Sequence, residues 1–111
     1  MKKATRPSFF THEGMPWKIY WLKELDNMGE TNTDLCEVKI ATTGVPEEVL
    51  KETLQHELLH IVLRDIMAVL ASTQASPSDI EEAIIRIASP RLFGLYKQNP
   101  ELREYLYGDK P

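Results

Sequence analysis

Val45-Pro46-Glu47-Glu48-Val49-Leu50-Lys51-Glu52-Thr53-Leu54-Gln55-His56-Glu57-Leu58-Leu59-His60 is the stretch on which the reading of this chain turns. Pro46 and the two carboxylates after it mark a helix start, where a fixed φ is tolerated and the positive end of the dipole favours negative charge. The helical pattern runs from about residue 46 to 70 and stops before the small polar loop Ser72-Thr73-Gln74-Ala75-Ser76. Residues four apart in a helix lie about 40° apart around its axis. His56 and His60 therefore offer two imidazoles, from adjacent turns, to one point. Glu57 projects about 100° from His56 and can reach a water on a metal held there without binding the metal itself. Two histidines in this spacing with a glutamate after the first read as a pair of zinc ligands and a general base, against the plainer reading of two helix histidines and a surface glutamate.

Placement on the helix adds weight. With His56 at zero, Val49 falls near 20° and Leu50, Leu54 and Ile61 at about 120° to 160°, so Glu57, at about 100°, sits inside that apolar sector. A carboxylate on the core side needs a partner, because burying it unpaired costs several kcal/mol in order of magnitude. A working zinc site needs a third protein ligand and one open position. The downstream helix offers Glu81 and Glu82. Glu81 falls between Ile84 and Ile85 on the expected core face and is the choice for third ligand. Glu82 falls beside Arg86 and Ser89 and reads as a solvated neighbour.

Outward from the helix, residues 1 to 16 hold two prolines and a glycine and read as an extended N-terminal arm with a short packed stretch at Phe9-Phe10. Trp17 to Lys23 is rich in aromatic and branched residues and precedes the turn-like Asp26-Asn27-Met28-Gly29, so it reads as a strand. Leu35 to Ala41 alternates, with Cys36, Val38 and Ile40 on one face and Glu37 and Lys39 on the other, as in a half-buried strand. Ser76-Pro77-Ser78-Asp79 opens a second helix. Pro90 is expected to break or kink it, and Asn99-Pro100 to begin a last short helix ending near Gly108. The expected fold is α+β: a small antiparallel sheet of two to three strands packed on three to four helices, in one domain covering residues 1 to 111.

Composition limits the function. A net charge of −4 gives no surplus of Lys and Arg for phosphate binding, so no nucleic-acid partner is expected. No segment approaches the ~20 apolar residues of a membrane-spanning helix. No signal-peptide pattern follows Lys2 and Lys3, so the expected address is the cytoplasm. The single cysteine, Cys36, agrees with a reducing compartment and reads as a core residue rather than a thiolate on the metal. His12 reads as a surface histidine, and Asp65 as either a solvated charge or a group that orients a ligand imidazole. Tyr96, Tyr105, Tyr107 and Arg86 all have the chemistry to stabilise an oxyanion, and spacing does not choose among them.

A strand, then Val45-Pro46-Glu47-Glu48 leading into His56-Glu57-Leu58-Leu59-His60, then a helix with a candidate inward glutamate, resembles the gluzincin branch of zinc peptidases. The likeness is to the compact ImmA/IrrE-type proteins, the phage- and prophage-encoded zincin-like proteins and the minigluzincins. Gly29-Glu30-Thr31-Asn32-Thr33-Asp34 before the strand and Asn99-Pro100-Glu101-Leu102 near the end extend it over most of residues 17 to 107. The resemblance implies a zincin-like fold and one zinc ion per chain. It implies His56, His60 and Glu81 as ligands and Glu57 as base and proton shuttle, with a peptide or protein as substrate lying along the sheet edge near residues 36 to 42. One position departs from the pattern: many gluzincins place an aspartate four residues after the ligand glutamate, and Ile85 stands there. The two readings that follow are a zinc-dependent endopeptidase, and a catalytically weak or inactive zincin-fold protein that acts as a protein-binding or regulatory module. A closed structural zinc site is a weaker third, since Cys36 stands alone.

Overall fold

The structure is a computed structural model, in which residues 5 to 71 and 76 to 108 are described, apart from the side chains of Asp65 and residues 68 to 71. The chain is α+β, in the order β1 (Phe9–His12), β2 (Met15–Leu22), β3 (Gly29–Asn32), β4 (Glu37–Ala41), α1 (Glu47–Ala71), α2 (Pro77–Gln98) and α3 (Pro100–Tyr107). Among the described residues, no helix is long and apolar enough to cross a membrane.

The sheet has four strands in the order β1-β2-β4-β3 and is mixed, not purely antiparallel. β1 and β2 form a hairpin closed by Glu13 and Gly14, both with positive φ, the two-residue turn whose twist matches that of the strands. Phe9 to Gly14 are thus an edge strand and its turn, and Met15 and Pro16 open β2, in place of the expected extended arm. β2 and β4 run parallel in the middle, with Ile19 opposite Val38 and Trp21 opposite Ile40. These two strands, expected from sequence in an antiparallel sheet, are parallel because the chain first lays down β3 on the far side of β4. It then returns through a turn in which Asn32 Oδ1 accepts from the backbone of Asp34 and Leu35. β3 is four residues long and reads Gly-Glu-Thr-Asn, with no apolar alternation to announce it.

Alternation sends Trp17, Ile19, Val38 and Ile40 to one face of the sheet, where they meet Leu50, Leu54, Leu58, Ile61 and Val62 of α1. Leu95 of α2 and Leu102, Tyr105 and Leu106 of α3 close the core. α2 begins with a reciprocal capping box between Ser76 and Asp79 and continues through Pro90 without a break. Pro90 deprives the Arg86 carbonyl of its helical donor, and the positions around it are exposed, so solvent can serve that carbonyl. Leu95 is the one fully buried residue of α2. Ala88, Leu92 and Tyr96 pack half-buried against the same core, and the helix touches α1, α3 and β1.

A candidate metal centre on helix α1

The Nε2 atoms of His56 and His60 face each other at 3.0 Å, with the rings edge to face. Both side chains are exposed. Two imidazole nitrogens bound to one zinc at about 2.0–2.1 Å in a tetrahedral arrangement are separated by about 3.4 Å. The observed pair needs to open by only a few tenths of an ångström, so the donors fit a zinc ion as two of its ligands.

Glu57 is 6% exposed, tucked between α1 and the edge strand β3. Its Oε1 accepts a hydrogen bond from Thr31 Oγ1 at 2.5 Å. Gly29, two residues earlier on the same face of β3, lies so close to α1 that an added Cβ would come within 2.8 Å of Thr53 Cγ2 and 3.2 Å of Glu57 Oε2. Met28, Gly29, Val49 and Glu52 surround an open cleft of about 360 Å³ into which Thr53, His56 and Glu57 also face. The sequence reading missed Thr31 and Gly29. Their signal was the two-residue repeat of a strand too short and too polar to show periodicity.

The structure brings His56, His60 and Glu57 together and leaves Glu81 apart. Glu81 is exposed on α2, as are Glu82 and Ile85. The half-buried face of that helix half is Ile80, Ala83, Ile84, Ile87 and Ala88, with Ala88 packed on the core, and Glu81 and Ile85 fall outside it. Among the described residues, no three His, Cys, Asp or Glu side chains are gathered to hold a metal ion. Glu82 pairs with Arg86 at 3.4 Å. The side chain of Asp65 lies outside the described residues.

Other expectations change with the topology. The strand at residues 37 to 41 is flanked on both sides, so the sheet edge beside the histidine helix is β3. His12 is buried, at 8% exposure, on β1 at the opposite edge of the sheet. Cys36 packs against the core in a left-handed turn, with its Sγ 3.8 Å from the Thr33 carbonyl. None of the four oxyanion candidates lines the cleft. Tyr105 donates to Glu47 Oε2 at 2.5 Å, and Tyr96 donates to Gln55. Both phenols are held un-ionised above the usual range, first by burial and then by hydrogen bonding, Tyr105 with the Glu47 carboxylate and Tyr96 with Tyr107.

Compared with protein-family models, with curated proteins and with solved structures, the chain finds no match in any of the three.

Proposed function

We propose that the protein is a zinc-dependent peptidase that cleaves within peptide chains. The observation that carries this reading is the convergence of His56 Nε2 and His60 Nε2 beside the buried carboxylate of Glu57, at the edge strand of a sheet. His56 and His60 hold one zinc, and Glu81 is the ligand the sequence nominates to complete the set. Zinc, when bound, supplies a Lewis acid that polarises a carbonyl and makes a water more acidic. Glu57 takes the proton of the attacking water and hands it to the amine that leaves. β3 offers an extended peptide a free edge to pair with, next to the cleft. A cytoplasmic setting belongs to the same reading and rests on the free thiol of Cys36.

Metal analysis of the purified protein, together with cleavage of an unstructured protein substrate, tests this. Glu57→Gln should keep its zinc and lose cleavage, and His60→Ala should lose both. A wild-type protein that takes up no zinc, or a Glu57→Gln variant that cleaves as fast as wild type, overturns it.

The exposed position of Glu81 and the apolar Ile85 favour a second reading: a zincin-fold module that binds a protein without cutting it. It predicts that His60→Ala leaves the biological effect intact.

A further inference from the structure

The geometry points to Thr31 as the residue that orients the Glu57 carboxylate, holding Oε1 so that Oε2 alone carries the proton; this assignment rests on the peptidase reading above. Three observations support it. Thr31 Oγ1 donates to Oε1 at 2.5 Å, which fixes one oxygen of a side chain whose last torsion is otherwise soft. Oε2 is turned toward Gly29, the one residue type that leaves its surroundings open, since any Cβ there would stand 3.2 Å away. Gly29, Glu57 and His56 all face the same cleft.

Thr31 and Gly29 are alternate residues of one strand and so share its face toward α1. One supplies a donor and the other supplies room. The hydroxyl has only one proton, which is spent on Oε1, leaving its lone pairs free to accept from a neighbour. Proton transfer depends on a base held within hydrogen-bond reach in the right direction. A carboxylate free to rotate would spend part of its time with neither oxygen aimed at the cleft. Thr31 touches neither metal nor reacting atoms in this arrangement and is a positioning residue.

The test uses the full-length zinc-loaded protein and the variants Thr31→Val, Thr31→Ala and Thr31→Ser. Removing the hydroxyl should lower kcat by on the order of 10- to 100-fold with KM little changed, the cost of a misaimed group. Thr31→Ser, which keeps the donor, should restore most of it. In parallel, the Thr31 hydroxyl proton is followed by NMR in wild type and in Glu57→Gln, where its resonance should move. Wild-type kcat in both Thr31→Val and Thr31→Ala, or Thr31→Ser as impaired as they are, overturns the assignment. So does a hydroxyl resonance indifferent to Glu57→Gln. A wild-type protein that cleaves nothing while that resonance responds to Glu57→Gln supports the orientation and overturns the peptidase reading.

Discussion

Asn99 binds the backbone of Thr11 as a neighbouring strand would: its Nδ2 donates to the Thr11 carbonyl at 2.7 Å and its Oδ1 accepts from the Thr11 amide at 2.8 Å. The same Nδ2 donates to the Leu95 carbonyl at 2.8 Å, at the end of α2. One buried side chain thus closes the open edge of β1 and ties it to the last turn of α2. Asn99→Ala should destabilise the fold by about 2–4 kcal/mol, because it orphans buried backbone groups as well as losing bonds. Urea denaturation measures this, and a loss under about 0.5 kcal/mol, typical of a surface change, would refute the role given to Asn99.

Gly29 allows β3 to approach α1 closely, and the tightest contact for a side chain there is the Thr53 methyl at 2.8 Å. Gly29→Ala should cost about 1–3 kcal/mol as an overpacked contact. Adding Thr53→Ser removes that methyl and should return most of the stability. Denaturation midpoints of the single and double variants decide it, and strictly additive effects would contradict the contact.

Tyr96 and Tyr105 both have native pKa values raised above the ordinary value of about 10. Their contribution is complete below the unfolded value and is lost progressively as pH rises from there through the raised native value, since over that window the unfolded chain gives up these protons and the native one keeps them. Stability should therefore decline above about pH 10, and Tyr105→Phe or Tyr96→Phe should flatten that decline. Urea midpoints on either side of that pH test it, and slopes identical to wild type would count against it.

Glu81 lies exposed on the half of α2 that has no fully buried residue, so moving it toward the histidines disturbs little core packing. If it is the third ligand, Glu81→Gln should lower zinc affinity by more than the roughly 10- to 100-fold that an outer-shell change costs. Glu82→Gln should not. Zinc at about 100 times its Kd should stabilise the wild-type fold by about 2.7 kcal/mol, and His56→Ala should abolish the effect. Equal affinities for the two glutamine variants would remove Glu81 from the site.

Some of the site was legible in the chain and some was not, and the division is physical. His56, Glu57 and His60 are joined by one helix, whose period fixes their relative directions before any tertiary contact forms. The inward placement of Glu57 followed from Leu50, Leu54 and Ile61 in the same way. Glu81 has no such tie. Its side of α2 depends on how that helix is rotated against its neighbours, which turns Ile80, Ala83, Ile84, Ile87 and Ala88 inward and leaves Glu81 exposed.

By itself, then, the sequence determined the elements with strong local codes: the helix carrying the two histidines, the helix start at Ser76-Pro77-Ser78-Asp79, and the alternating strand around Val38 and Ile40. Only the tertiary structure decided which strand became the edge beside that helix, that Pro90 stays within a continuous helix, and that Thr31 partners Glu57 across 26 residues. Local spacing sets directions along one element, whereas the partner across a gap is set by how the whole chain buries its apolar faces.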